Sequence, residues 1–381
     1  MKILSVIISI GIAGDAMWVR ITHIAKAFEK NGHKIDIYHY IIKINSTRLK
    51  PILNNRKKYE NNYQIKSTNV CNVLSIFYKY IKDVKSVDYD IVYGNTFMGA
   101  FIPILLKKIN NTPVILDMHG LLSEEYRLKE PNYNFNMFFC KILEYITIRF
   151  ADKILCVSKN MVKYLHLKKG VPLGKLVYIT NGVDIDFFKN IEDTKVQLLK
   201  KELGIENKFV FGYIGGVQKW QGLGNFIEAA KKVTSEKISF IIVGGDKKQT
   251  DDNIIYISKV SPAQITNYYS MCDVLVLPRP AHIATSVAAP TKFAEYIAMG
   301  KPILTTDVGD AADFVRQYKN GIVIENNTPE NLKKGILEFL ALGPNELIEM
   351  GKNSRKLAEN EFDWKKISKN LVKCLEKVAS K

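Results

Sequence analysis

Long uninterrupted hydrophobic runs are missing from this sequence of 381 residues. The longest apolar stretches have about ten residues, as at 97–106, whereas a helix that spans a bilayer needs about 18 or more. The apolar block at 3–10 is short, rich in β-branched residues and followed by a glycine turn, so we interpret it as a buried strand and not as a secretory signal. The sequence therefore predicts a chain that does not cross a membrane.

Cysteine is also scarce, and the cysteines are not arranged as metal ligands. The five are scattered, with no C-x-x-C pair and no histidines at a matching spacing. This pattern predicts reduced thiols in a cytosolic protein and argues against a zinc site. Asp88-x-Asp90 and Asp184-x-Asp186 look like paired metal-binding acids, but the first precedes a predicted strand and the second lies in a predicted turn. We therefore expect no metal site.

Acidic residues are too few to balance the basic ones. The chain has 55 lysines and arginines against 38 aspartates and glutamates, a formal net charge of +17. The surplus lies in 1–188, with 27 against 15, and in 351–381, with 9 against 4, while 189–350 has 19 of each. Positive charge so placed attracts nucleic acid, an anionic membrane surface or a phosphorylated acceptor, unless it is only a solvated lysine-rich surface. No recognised nucleic-acid-binding motif accompanies it, which argues against nucleic acid.

The composition is otherwise that of a globular chain, with 47% hydrophobic residues, and the length predicts two domains. Apolar β-rich segments alternate with segments of helical period, which is typical of parallel sheets covered by helices on both faces. The alternation stops at a charged linker near 189 and then restarts, so two doubly wound units are the simplest architecture. The polar segment 45–68 matches neither pattern. The predicted strands are 3–10, 34–40, 91–94, 114–118, 153–158, 209–215, 238–244, 254–257, 274–277 and 302–306, and the predicted helices are 18–30, 97–110, 136–150, 160–169, 223–234, 262–271 and 291–299.

The last predicted helix, from Trp364, has two different faces. Apolar residues recur on one face, and lysines recur every four residues on the other. We therefore expect one side to pack and the other to remain wet and cationic. The aromatic stretch 132–139 is less clear, because it suits either core packing of a helix or contact with acyl chains or an acceptor; core packing is the favoured interpretation.

Two glycine-containing turns are candidates for anion binding. The turn at 11–15 follows the first predicted strand, and 211–233 has the order strand, glycine-rich turn, helix, with Lys219 inside the turn. Neither turn is a P-loop; the first is a weak signal alone, and the second is a stronger one. In 289–307 a helix opens after Pro290, with Thr291 available as a cap and Gly300 available to end it. Its residues 292 and 295 form either a surface ion pair or part of a site.

Taken together, several segments resemble the retaining family 4 glycosyltransferases of the GT-B fold. The resemblance implies an α/β fold with two doubly wound Rossmann-like domains that face each other across a cleft, and a final helix that crosses back to the N-terminal domain. The implied domains are 1–188 for the acceptor, 189–355 for the nucleotide sugar and 356–381 for the final helix. The matching segments are NGHKIDIY (31–38), DMHG (117–120), ADKILCVSKNM (151–161), TNGVDIDFF (180–188), YIGGVQKWQG (213–222), SMCDVLVLP (270–278), PTKFAEYIAMGKP (290–302) and EFDW (361–364).

The resemblance also implies roles for particular residues in binding the donor. Glu295 would bind the ribose hydroxyls, and Lys292 and Lys219 would neutralise the diphosphate, with Arg279 as a further cation. Gly14 would leave room for the phosphates, and Gly216 would belong to the phosphate turn.

Catalysis would involve His119, beside the transferred sugar, and again Lys292. The physical reason is that a departing nucleoside diphosphate gains negative charge, which nearby cations and N–H groups stabilise. The family has an E-x7-E motif, and Glu295 matches its second Glu. The chain departs from this motif at Val287, where the first Glu would fall. It departs again at Gly216 and Gln221, where the phosphate turn usually has Arg and Lys.

The implied function is retaining, metal-independent transfer of a sugar from a UDP- or GDP-sugar. The acceptor would be a lipid-linked or polysaccharide glycan at the cytoplasmic face of a membrane. The nucleotide sugar is a co-substrate, so no separate cofactor is expected, and the expected partners are this donor, the acceptor and an anionic membrane surface. Two alternatives stay open: a nucleotide-sugar 2-epimerase of the same fold, and a non-catalytic partner subunit that binds nucleotide sugar.

Overall fold

The computed structural model describes residues 1–10, 15–42, 65–70, 73–84, 87–107, 111–129, 135–246 and 249–380. The chain divides into two compact units. The first unit comprises Met1–Thr180 and Lys365–Lys381, and the second comprises Asn181–Trp364. The last helix from Lys365 onward is thus part of the first unit. The sequence prediction placed the divisions at 188/189 and 355/356.

Each unit is built on one sheet of seven strands among the described residues. The first sheet is parallel throughout, in the order β3-β2-β1-β4-β5-β6-β7; the second has the order β10-β11-β9-β8-β12-β13-β14, and within it only β10 pairs antiparallel, with β11, among the described strands. This confirms the predicted α/β class with parallel sheets. The strands are β1 (Lys2–Ile10), β2 (Lys34–Ile42), β3 (Ile65–Val70), β4 (Ile91–Asn95), β5 (Val114–Met118), β6 (Lys153–Cys156), β7 (Leu176–Tyr178), β8 (Phe209–Ile214), β9 (Ile238–Gly245), β10 (Gln249–Asp251), β11 (Ile254–Ser258), β12 (Val274–Leu277), β13 (Ile303–Thr306) and β14 (Gly321–Ile324).

Helices connect the strands, and the described part of the chain contains short 3-10 turns at Leu173–Lys175, Lys219–Gln221 and Pro262–Gln264. No described helix is both long and apolar enough to pass through a bilayer. The helices are α1 (Asp15–Lys30), α2 (Val73–Val84), α3 (Thr96–Leu105), α4 (Leu122–Lys129), α5 (Phe135–Phe150), α6 (Lys159–Lys169), α7 (Asp193–Glu202), α8 (Leu223–Lys231), α9 (Ile265–Met271), α10 (Ile283–Val287), α11 (Thr291–Ala298), α12 (Gly309–Tyr318), α13 (Pro329–Leu340), α14 (Pro344–Leu357) and α15 (Trp364–Ala379).

The two-faced pattern predicted for α15 is confirmed. Its apolar residues are buried and its lysines are exposed. The described part of the 132–139 stretch behaves differently. Met137 is buried, but Phe135, Phe138 and Phe139 are 79%, 49% and 43% exposed. The prediction of core packing for this stretch is therefore wrong for these three phenylalanines.

Each sheet contains one point at which the winding of the chain reverses. In the second sheet, β9 and β11 lie on one side of β8, and β12, β13 and β14 lie on the other. At such a point the connections that follow two neighbouring strands run to opposite sides. This leaves a crevice at the carboxyl ends of those strands, where doubly wound folds bind their ligands. The turn after β8 and the loop after β12 therefore mark the ligand-binding edge of the second sheet.

Two glycine turns touch each other at this edge. Gly215, after β8, has φ +145°, and Gly244, near the end of β9, has φ +120°. A Cβ on Gly244 would lie 2.2 Å from the carbonyl oxygen of Gly215. Real Cβ atoms do not approach a backbone oxygen so closely. The two turns can therefore lie this near each other only because Gly244 has no side chain.

Gly244→Ala is expected to destabilise the second unit by about 3 kcal/mol, since it combines an unfavourable φ with a backbone clash. This should lower the midpoint of thermal unfolding by roughly 6–12 °C, as measured by calorimetry. Gly224→Ala is the matched control, because no atom lies within 4 Å of its Cβ position and the residue is helical. Equal midpoints for the two variants would contradict the clash.

Candidate functional site

Lys292 is the centre of a polar cluster in the second unit. It lies in the first turn of α11 and is 9% exposed. Its Nζ donates to the Tyr213 hydroxyl at 2.6 Å and to Gln221 Oε1 at 3.3 Å, and lies 4.3 Å from the centre of the Tyr213 ring. Among the described residues no carboxylate pairs with this ammonium group. The surface ion pair that the spacing of Lys292 and Glu295 allowed is therefore not formed.

The amine of Lys292 changes its protonation state near neutral pH, because its pKa is low for a lysine. Burial and the positive charge of Arg279 lower the pKa of Lys292 to about 7, against the opposing charge of Glu295. Neutral oxygens hydrogen-bond to the amine but do not balance its charge. An anion placed against Nζ would favour the charged form and raise this pKa.

Arg279 provides a second buried cation beside Lys292. It follows β12 directly and is 7% exposed, and its carbonyl accepts a hydrogen bond of 2.6 Å from Thr306 at the end of β13. Asn327 ties the same loop to the turn before α8, because its side-chain amide donates to the carbonyls of Pro278 and Gly222. The cations therefore lie on backbone that several strand ends hold in place.

Glu295 lies one turn further along α11. Its Oε2 accepts a hydrogen bond of 2.5 Å from the buried Tyr269 hydroxyl. Burial raises the pKa of Glu295, while the Tyr269 hydrogen bond and the charge of Lys292 oppose the rise. Glu295 as a whole residue is partly exposed, and its carboxylate oxygens are of the type that accepts hydrogen bonds from hydroxyl groups.

The turn after β8 approaches the same lysine. A Cβ on Gly215 would lie 3.0 Å from Nζ of Lys292, so a side chain here would displace the ammonium. The Gly216 carbonyl accepts a hydrogen bond of 2.5 Å from the Tyr213 hydroxyl. The structure therefore brings Gly216, Arg279, Lys292 and Glu295 together in one unit. The expected cap at Thr291 is not used, because the helix begins after Pro290 without a side-chain cap.

Two predicted donor-binding residues cannot be placed. Gly14 lies outside the described residues. Lys219 begins the 3-10 turn Lys219–Gln221, but its side chain lies outside the part of the chain that the structure describes. Its contact with the diphosphate therefore stays a prediction. A separate concavity in the second unit, lined in part by Met299, Lys301 and Arg355, contains none of the predicted site residues.

His119 belongs to a second cluster, in the first unit. It follows β5, and its Nε2 lies 3.2 Å from Oδ2 of Asp117. Arg20 grips the same carboxylate in a bidentate manner, at 2.8 Å from Nε and 2.9 Å from Nη2. The Tyr93 hydroxyl donates to it at 2.6 Å. Asp117 and Arg20 are almost fully buried, and His119 is one-quarter exposed.

The carboxylate of Asp117 stays ionised in this cluster. Burial alone would raise the pKa of Asp117, but the positive charge of Arg20 and the interaction with His119 hold it well below its usual range. Arg20 also donates to the carbonyls of Ile179 and Thr180 after β7. A charged acceptor thus fixes one ring nitrogen of His119, and the imidazole orientation follows from that bond.

The partners of the predicted site residues were not apparent from the sequence. Tyr213, Tyr269 and Tyr93 lie near apolar residues in the sequence, where a tyrosine is predicted to be an ordinary core residue. Arg20 lies on a helix, where an arginine is predicted to be exposed to solvent. The only sequence signal was the position of Asp117, two residues before His119 at the end of a predicted strand.

Comparison with known families decides what this pair of units is. The model of glycosyltransferase family 4 matches residues 17–187, and the model of glycosyl transferases group 1 matches residues 195–357. The chain belongs to the family 4, group 1 glycosyltransferases. The two matches meet close to the division between the compact units, and together they include the polar clusters of this glycosyltransferase.

Individual relatives agree with the family assignment. The glycosyltransferase is 25% identical to the uncharacterized glycosyltransferase MJ1069 of Methanocaldococcus jannaschii, over 82% of this chain and 81% of the relative. It is 22% identical to the capsular polysaccharide biosynthesis glycosyltransferase CapM of Staphylococcus aureus, over 71% and 72%. The crystal structure of Anabaena HepE in complex with UDP superposes with a TM-score of 0.79 at 18% identity, over 99% of this chain and 100% of HepE. This confirms the predicted GT-B fold class.

Arg20→Met is expected to destabilise the glycosyltransferase by about 3–5 kcal/mol, because it leaves the buried charge of Asp117 without its counter-ion. The loss should be visible in urea unfolding followed by circular dichroism. Arg127→Met removes a 63% exposed arginine at 3.9 Å from Glu124 and should change stability by less than about 1 kcal/mol. An Arg20 variant as stable as the Arg127 variant would show that Asp117 does not depend on Arg20.

Proposed function

We propose that this protein is a retaining, metal-independent glycosyltransferase that moves a sugar from a UDP- or GDP-sugar to a lipid-linked or polysaccharide acceptor. The observation that carries the donor part is the pair of buried cations, Lys292 and Arg279, at the reversal point of the second sheet. Lys292 is paired only with neutral oxygens among the described residues. A diphosphate is a ligand whose negative charge would balance the Lys292 ammonium group beside Arg279.

The remaining donor contacts follow from the same cluster. Glu295, held by Tyr269, would accept hydrogen bonds from the ribose hydroxyls, and Gly216 would let the phosphates approach the backbone. HepE has been crystallised with UDP and with UDP-glucose, which supports a nucleotide sugar as the ligand.

Chemistry at the anomeric carbon requires no side-chain nucleophile in this proposal. The bond between the anomeric carbon and the diphosphate oxygen breaks, and the acceptor oxygen bonds to the same face of the sugar. The acceptor proton passes to the departing diphosphate. Lys292 would stabilise the charge that develops on the leaving group, and His119, oriented by Asp117, would stabilise the sugar in the transition state.

The acceptor part rests on two supports. CapM is named for capsular polysaccharide biosynthesis. The first unit carries 27 lysines and arginines against 13 acids in Met1–Thr180, and 6 against 1 in Lys365–Lys381. A field of this sign attracts anionic lipid and lipid pyrophosphate, so we place the reaction at the cytoplasmic face of a membrane.

Binding of UDP-glucose is expected to weaken as the pH rises above about 7. The diphosphate favours charged Lys292, whose pKa is about 7 in the free protein, so binding takes up a proton on the alkaline side. Between about pH 6.5 and 8.5 the affinity should fall by up to roughly 25-fold, as measured by titration calorimetry. GDP-glucose is measured in parallel, since the base is not fixed by this argument.

Lys292→Gln should bind the donor more weakly and without this pH dependence. Lys334→Gln, at an exposed lysine on α13, should keep the wild-type affinity and profile. A wild-type slope in the Lys292 variant would remove Lys292 from the diphosphate site, and failure of both nucleotide sugars to bind would overturn the proposed function.

The product is expected to keep the anomeric configuration of the donor, and turnover is expected to be unchanged by EDTA. Proton NMR of the product formed on a polysaccharide or lipid-linked acceptor gives the configuration directly. An inverted product or loss of turnover in EDTA would contradict these parts. Epimerised donor in the absence of acceptor would instead assign the 2-epimerase reaction, and nucleotide binding without either reaction would assign the partner subunit.

A further inference from the structure

Helix α5 of the first unit has apolar residues on both of its sides. On its inner side Met137, Leu143 and Ile148 are buried, and α3 and α4 pack against the helix. The buried Glu144 on the same side accepts hydrogen bonds from the Ser123 backbone and hydroxyl at 2.8 and 2.7 Å, which caps the start of α4. The inner side thus fixes the rotation of α5 about its axis.

The outer side of α5 is aromatic and exposed. Residues 135, 138, 139, 142 and 145 are related by spacings of three and four, and Phe150 lies on the same side at the end of the helix, so all six lie along one face of a helix of 16 residues, about 24 Å long. We call this the α5 face; it consists of Phe135 (79% exposed), Phe138, Phe139, Ile142, Tyr145 (67%) and Phe150 (55%). Soluble monomers rarely expose so many large apolar side chains together, and such patches mark interaction sites.

The charges that accompany the α5 face are positive. The charged residues exposed on this helix are Lys141 and Arg149, and the carboxylate of Glu144 points inward and is already bound. Lys175 closes the end of the helix by donating to the carbonyls of Ile148 and Arg149, both at 2.8 Å. An apolar aromatic ridge edged by cations is the pattern of a helix that lies in the interface of an anionic bilayer.

The distribution of charge over the whole chain points the same way. The basic surplus lies entirely in the first unit, while the second unit has 22 lysines and arginines against 24 acids. A second copy of this chain would bring the same positive field against itself, which opposes self-association through this face. Anionic lipid instead gains from both the aromatic residues and the field.

We propose that the α5 face docks this protein on an anionic lipid bilayer, with the phenylalanines entering the boundary between headgroups and acyl chains. The choice of a bilayer as the occupant rests on the proposed function, because a lipid-linked acceptor lies at such a surface. The proposal assigns docking to α5, whereas the sequence analysis based a membrane partner on the net charge and favoured core packing over contact with acyl chains for 132–139.

The test compares two triple variants of the full chain for binding to vesicles. Phe138→Ser, Phe139→Ser and Tyr145→Ser remove the centre of the α5 face. Leu198→Ser, Leu337→Ser and Ile348→Ser remove exposed apolar residues of the second unit and serve as the matched control. Sedimentation with vesicles of phosphatidylglycerol and phosphatidylcholine should show at least about tenfold weaker binding for the first variant and no change for the second.

Further readouts make the result decisive. Circular dichroism and the midpoint of thermal unfolding should be the same for both variants and the wild type, which shows that the first unit of the α5 variant is folded. Binding of UDP-glucose or GDP-glucose in solution should also be unchanged, which tests the donor site in the second unit separately. Phe138→Trp should shift its emission to the blue with anionic vesicles and be quenched by brominated acyl chains.

Wild-type protein that does not bind anionic vesicles, or equal binding by both triple variants, would overturn the proposal. So would a wild-type dimer that the α5 substitutions dissociate while vesicle binding is unchanged, since that outcome assigns the face to a second copy. None of these outcomes depends on turnover, so a failed docking surface and a failed donor site are distinguishable.

Discussion

A buried lysine amine that has no carboxylate partner among the described residues is the constraint that organises the second unit. Lys292 is excluded from water by α11 and the strand ends around it, yet its described partners are a tyrosine hydroxyl and an amide oxygen. The surroundings are shaped to keep it there: Gly215 has no side chain that could occupy the same space, and Gly244 allows the neighbouring turn to come close. The folded chain therefore holds an amine, whose charged form no described carboxylate neutralises by direct contact, at the edge where this type of sheet binds ligands.

In the first unit, by contrast, the buried charge of Asp117 has partners within the chain. Asp117 is surrounded by Arg20, Tyr93 and His119, so its charge is balanced within the chain itself. Such a closed network rigidifies what it holds, and here it holds the ring of His119 and the backbone after β7. The Asp117 cluster is balanced by its own residues and fixes the direction of a side chain, whereas the Lys292 cluster has no carboxylate partner among the described residues and is the site that we propose for an anion.

The sequence was most informative where local pattern and tertiary structure agree. Alternating apolar segments located most strands within one or two residues, and the family-like segments selected Lys292, Glu295, Arg279 and His119. It was least informative where a residue type has two ordinary environments. Tyrosines 213 and 269 resemble core residues, and the phenylalanines of α5 fit a core by period alone, because periodicity does not say which face a neighbour covers. The arrangement of the two units across a cleft stays a prediction.

The membership of the last helix in the first unit has a consequence for biosynthesis. Residues 181–364 are synthesised between the two parts of the first unit. The apolar surface of 1–180 that packs against the last helix therefore stays exposed while the whole second unit is translated. Ile367, Leu371 and Leu375 complete the packing only after the whole second unit has been synthesised. Until then the nascent first unit has an incomplete core, and the exposed apolar surface of such an intermediate favours misfolding and aggregation.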